Sequence, residues 1–93
     1  MTDKSSLKKL DELILARIEN PQDGYTDKLI ADRNLRMKKI GEEASEFIVA
    51  CVDKDTKEIA NEGADVFYHV LVSARSCGVS LEDILKVLED RAS

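Results

Sequence analysis

The chain has 93 residues, 43% of them hydrophobic and 35% charged, with a formal net charge of −5. That length supports one compact domain, residues 1–93, with a core small enough for a partner surface to contribute to its stability. The acidic balance argues against the phosphate-neutralising surface of a DNA- or RNA-binding module, so no nucleic-acid partner is expected. The opening MTDKSSLKKLDELI lacks the uninterrupted apolar core of a signal peptide, and no stretch approaches the length of a membrane span. A cytoplasmic protein with no membrane partner is expected. Cys51 and Cys77 have neither CxxC spacing nor a second Cys or His at metal-site distance, so both are expected to be buried, reduced thiols.

Leu7, Leu10, Ile14 and Ile18, with Leu13 beside them, recur at helical spacing and define a first helix of about Ser6 to Glu19, which Ser5 or Ser6 can cap. It stops at ENPQDG, where Pro21 and Gly24 supply turn chemistry. Tyr25 to Ala31 can form a short helical turn, and ADRN leads into a second long helix. There Met37, Ile40, Gly41, Ala44, Phe47, Ile48, Cys51 and Val52 fall on one face, and the helix ends at DKD. Thr56 can cap a third long helix, about Lys57 to Cys77, which Gly78 closes. The last helix begins at Ser80, where SLED has capping-box form with Asp in place of the usual Glu, and carries Ile84, Leu85 and Leu88 on one stripe. No strand pattern competes, so the class is all-α, a bundle of four to five helices.

Val66 to Ala74, VFYHVLVSA, is apolar on nearly every side, which a helix tolerates only when surrounded. So few helices cannot surround it, and packing against the same helix of a second copy is the expected solution: a homodimer.

The charge is uneven. Thr26 to Gly41 holds Lys28, Arg33, Arg36, Lys38 and Lys39 against Asp27 and Asp32, a local +3 that leaves −8 for the remainder of the chain. This basic segment runs directly into Glu42, Glu43 and Glu46. At 100° per residue Arg36, Lys39, Glu43 and Glu46 form one stripe of the second long helix. Glu42 and Glu43 are each like-charge neighbours of Glu46, at a cost of roughly 0.2–0.5 kcal/mol per pair, which a solvated surface tolerates. On the third long helix Glu58, Glu62, Asp65 and His69 share a stripe, and Glu62 and Asp65 directly precede the apolar segment. Carboxylates on a buried helix need a partner. If the two helices lie antiparallel across the DKD turn, Glu43, Glu46, Glu62 and Asp65 converge. A hard divalent cation with oxygen ligands, Mg²⁺ in particular, then satisfies them better than the lysines and arginines gathered at one end.

Glu43-Ala-Ser-Glu46 followed by Glu62-Gly-Ala-Asp65 resembles the ExxE…ExxD signature of the all-α nucleoside triphosphate pyrophosphohydrolases of MazG type. GYTDKL, KKIGEEASE, NEGADVFYHVLV and LEDILKVLEDR resemble, in order and spacing, the phosphoribosyl-ATP pyrophosphohydrolase family, from about Leu7 to Arg91. Gly24 and Arg33 depart from that pattern. The resemblance implies a Mg²⁺-dependent hydrolase of histidine biosynthesis that splits the α–β phosphoanhydride of 1-(5-phosphoribosyl)-ATP. It implies Glu43, Glu46, Glu62 and Asp65 as metal ligands. Glu42 becomes a further ligand, a supporting group or the base, placing it with Glu43 and Glu46 in the catalytic set. Arg36, Lys38 and Lys39 become candidates to hold outer phosphates, with Lys39 favoured by its place on the carboxylate stripe.

Tyr25 and Thr26 resemble the family's loop and either contact the nucleotide or cap the turn. His69 reads chiefly as a hydrogen-bonded core histidine, Tyr68 and Phe67 as core, and Gly63 as a point of close helix approach. Two further readings stand beside this one: a pyrophosphohydrolase clearing ordinary or damaged nucleoside triphosphates, and a non-enzymatic helical dimer whose glutamates only solvate its surface.

Overall fold

A computed structural model describes residues 5–92, and within them the chain is all-helical: α1 Ser5–Glu19, α2 Tyr25–Ala31, α3 Arg33–Asp53, α4 Thr56–Ser76 and α5 Leu81–Ala92. α3 and α4 form an antiparallel hairpin with the most extensive packing in the chain, and α1 and α2 lie against α4. The core is made by Ile14 of α1, Leu29 of α2, Leu71 and Val72 of α4 and Leu81 of α5, with Leu7, Leu10, Ile18, Leu35 and Leu85 around them.

The helix ends follow local chemistry. α1 already includes Ser5 and Ser6, so both serines are helical residues rather than the expected cap, and the position that precedes Ser5 lies outside the described residues. Asp27 accepts from the backbone N–H of Gln22 and of Gly24, both at 2.9 Å, and so fastens the loop to the first turn of α2. Asp32 caps α3 through the Leu35 N–H at 3.0 Å. The cap of α4 is Asp55, which accepts from the Glu58 N–H at 3.2 Å, and Thr56 is the first helical residue rather than the cap. Gly78, at φ 82°, ends α4 in a Schellman motif, its N–H on the Arg75 carbonyl at 2.9 Å and that of Val79 on Ala74 at 2.8 Å. The Ser80–Asp83 box is reciprocal, at 3.0 and 3.1 Å, as its sequence requires.

α3 turns only part of its expected face inward. Ala50 is buried and Ile40, Ala44 and Phe47 are partly so, whereas Met37, Ile48, Cys51 and Val52 are exposed. Periodicity identifies a face that avoids water but not the chain that covers it, and within one chain only α4 is available to α3's C-terminal half. Phe67, expected in the core, is likewise 61% exposed. Both cysteines are free and exposed, contrary to the buried thiols expected: Cys51 lies in the outward last turn of α3, and Cys77 is the C-cap of α4. No helix among the described residues is long and apolar enough to cross a membrane.

Candidate active site

The α3–α4 hairpin places one pair of carboxylates opposite the other. Glu43 faces across the interface to Glu62 and Asp65, and one oxygen from each of the three lies within 4.8 Å of the others. Two bonds of about 2.1–2.6 Å to a hard cation span such a separation. Glu46, one turn after Glu43, brings its carboxyl against both Glu43 and Glu62. Gly63 lies opposite the Phe47 ring, where a Cβ would sit in ordinary contact at 3.4 Å, so the approach of the two helices here does not require a glycine.

The electrostatic consequence is a set of acids that resist ionisation. Burial, and then the charges of Glu46 and Asp65, raise the Glu43 pKa. Glu62 is pushed up to about 7, first by burial, next by the adjoining Glu46 carboxyl, then by the charges of Glu43 and Asp65. Glu43 Oε2 and Glu62 Oε2 are both buried without a hydrogen-bond partner. Unsatisfied carboxylate oxygens are costly, and two on residues of one acidic cluster fit a bound cation.

The remaining predicted residues lie at the edge of this centre or in other parts of the fold. Glu42 does not join it. Its carboxylate sits on the solvent side between Lys38 at 3.9 Å and Lys39 at 3.6 Å, so Lys39 pairs with Glu42 rather than with Glu43. Arg36 is buried, and its Nη1 donates to the carbonyls of Leu29 at 3.1 Å and Ile30 at 2.7 Å. It thereby satisfies the orphan carbonyls at the end of α2, a use of arginine that the stripe of charges does not disclose.

His69 is buried, with both ring nitrogens engaged: Nδ1 lies 2.8 Å from the Asp65 carbonyl and Nε2 lies 3.2 Å from the Tyr25 hydroxyl. A carbonyl only accepts, so Nδ1 carries the proton, and in the neutral ring the Tyr25 O–H donates to Nε2. Thr26 and Tyr68 share a second hydroxyl contact between the same two helices. Tyr25 and Thr26 therefore fasten the start of α2 to α4, one helical turn beyond Asp65. The Asp11–Arg75 ion pair, which holds α1 against α4, carries no periodic signal and went unforeseen: one aspartate on an otherwise apolar face was the single hint.

The family described as Phosphoribosyl-ATP pyrophosphohydrolase matches residues 7–92 of the chain. The chain belongs to this family. A phosphoribosyl-ATP pyrophosphatase of Halobacterium salinarum is 43% identical over 90 residues, covering 91% of this chain and 95% of the relative. One from Streptococcus sanguinis is 39% identical over 87 residues, covering 91% and 84% respectively. The histidine biosynthesis bifunctional protein HisIE of Prochlorococcus marinus is 45% identical over 85 residues, which are 89% of this chain and 38% of that longer protein. Within the family match lie all four facing carboxylates, Glu43, Glu46, Glu62 and Asp65.

Proposed function

We propose that the chain hydrolyses the α–β phosphoanhydride of 1-(5-phosphoribosyl)-ATP to 1-(5-phosphoribosyl)-AMP and pyrophosphate, the second step of histidine biosynthesis, in the cytoplasm. Membership of the family and the names its relatives carry support the substrate. The observation that carries the chemistry is the pair of buried, unpartnered oxygens, Glu43 Oε2 and Glu62 Oε2, in a cluster of acids.

Glu43, Glu46, Glu62 and Asp65 are the residues to hold Mg²⁺. When bound, the ion neutralises the phosphate oxygens and polarises the phosphorus under attack. The chain's own contribution is positional. The hairpin holds four acids from two helices at a fixed spacing, and this acidic surface repels a triphosphate that arrives without a cation. A carboxylate of the cluster takes the proton of the attacking water. Glu42 stays outside, keeping Lys38 and Lys39 together at the edge where outer phosphates are held.

A second copy of the chain is the proposed cover for the apolar surface left by Ile48, Val52 and Phe67, exposed to 60%, 74% and 61%. Sedimentation should then report a dimer at micromolar concentration.

Pyrophosphate release from phosphoribosyl-ATP, measured with and without Mg²⁺, is the deciding experiment. Mg²⁺ should also raise the melting temperature of the wild type, and do so much less in Glu46→Gln and Asp65→Asn. No release with Mg²⁺ present, or faster turnover of an ordinary nucleoside triphosphate, overturns this substrate.

A further inference from the structure

A pocket of 380 Å³ opens between α1 and the segment leading into α2, away from the acid cluster. Leu10, Leu13 and Ile14 form its apolar floor, and Tyr25 and Tyr68 form a wall, their rings 6.4 Å apart and inclined by 21°. Tyr25 remains 47% exposed, so an aromatic face is left open to an occupant. The rim carries Asp23 and Asp27 against Arg17. Asp27 is held in its anionic form by the N–H groups of Gln22 and Gly24. An apolar floor and aromatic wall with one net negative charge on the rim suit a planar ring that is neutral or cationic, and disfavour a phosphate.

The pocket is tied to the acid cluster by the chain of contacts from the Tyr25 hydroxyl to His69 Nε2, at 3.2 Å, and from His69 Nδ1 to the Asp65 carbonyl, at 2.8 Å. It begins one helical turn and one hydrogen bond beyond Asp65, a span suited to the ribose and α-phosphate of a nucleotide whose anhydride lies at the carboxylates. The chemistry of the base adds a further match. Attaching a ribosyl carbon to N1 of adenine turns the N1–C6–N6 unit into a basic amidine that takes up a proton, whereas plain adenine is neutral at pH 7.

We infer that this pocket is the subsite for the adenine ring, and that its aromatic wall and negative rim select N1-substituted, amidinium-type adenine over plain adenine. The inference rests on the pyrophosphohydrolase reading for its substrate, but its test does not need hydrolysis. The probes are 1-methyladenosine and adenosine, which lack phosphates and so do not require the acid cluster. The chain has two tyrosines and no tryptophan, and both tyrosines line this pocket, so tyrosine ring resonances report on it directly. Titration with 1-methyladenosine should shift both rings saturably, with adenosine about tenfold weaker. Asp23→Asn, at an exposed loop position, should reduce that preference and raise KM for phosphoribosyl-ATP by about fivefold, with a smaller change in kcat. Unshifted tyrosines, or equal affinity for the two nucleosides, would overturn the subsite while leaving pyrophosphate release as it stands. Absent pyrophosphate release with the tyrosine shifts intact would remove the hydrolase reading and leave a pocket for N1-substituted adenine.

Discussion

Among the described residues, two places enclose carboxylate oxygens, and they treat them oppositely. Between α1 and α4, Asp11 and Arg75 form a two-pronged pair, Nε to Oδ1 at 3.0 Å and Nη2 to Oδ2 at 2.8 Å, with side chains only 7% and 19% exposed. Between α3 and α4, Glu43 and Glu62 keep oxygens buried with no partner, although Lys38 and Lys39 stand on the same helix as Glu43. The basic side chains nearby are spent elsewhere: Arg36 on the end of α2, Lys38 and Lys39 on Glu42. The fold thus neutralises one buried acid with close geometry and leaves the other cluster without a basic partner, the difference on which the proposed cation site rests.

The largest effect should come from breaking the closed pair. Asp11→Ala strands the Arg75 guanidinium and should lower stability by about 3–5 kcal/mol, whereas replacing both residues by apolar ones of similar size should recover most of it; chemical denaturation measures both. At the open cluster the expected response is the reverse. Glu62→Gln should cut pyrophosphate release by about 100-fold or more while the ion-free protein melts no lower than the wild type, since one of the mutually repelling acids is gone.

The pH response sharpens the contrast. In the ion-free protein the folded chain holds the Glu62 proton more tightly than the unfolded chain does, with the folded pKa near 7 against an ordinary 4.5. That stability is fully present below about 4.5 and is lost as pH rises through about 7. Thermal melts across this range should show the decline, saturating Mg²⁺ should flatten it, and Glu62→Gln should shrink it.

Smaller effects test the links between the regions. Tyr25→Phe removes the donor to His69 Nε2 and should cost about 1 kcal/mol, with a larger loss in binding of N1-substituted nucleosides than in global stability. Lys54 holds the left-handed position at the end of α3, φ 56°. Lys54→Gly should therefore stabilise the hairpin by a few tenths of a kcal/mol to about 1 kcal/mol, an effect confined to melting temperature.

Much of this was legible in the residues. Apolar spacing, Pro21, Gly78 and the Ser80–Asp83 box marked the helices, because those signals act within one turn of the chain and owe little to the rest of the fold. The ExxE and ExxD pairs marked the acids because i, i+3 spacing puts both members of each pair on one side of a helix. Local pattern marks an apolar face but not what covers it: Met37, Ile48, Val52, Phe67 and the two cysteines are exposed within the single chain. The basic neighbours of Arg36 in sequence made it one candidate to hold a phosphate, whereas the carbonyls of Leu29 and Ile30 that its Nη1 holds are reached only once α2 folds back against α3.

The order of residues by itself thus determined an all-helical chain and the two acidic stripes, since both follow from the 3.6-residue turn. Only the tertiary structure decided that Glu43, Glu62 and Asp65 meet, that Glu42 turns away to the lysines, that Asp11 is closed by Arg75, and that Tyr25 reaches His69. Those outcomes depend on contacts between side chains far apart along the chain, whose geometry is set by how the helices pack.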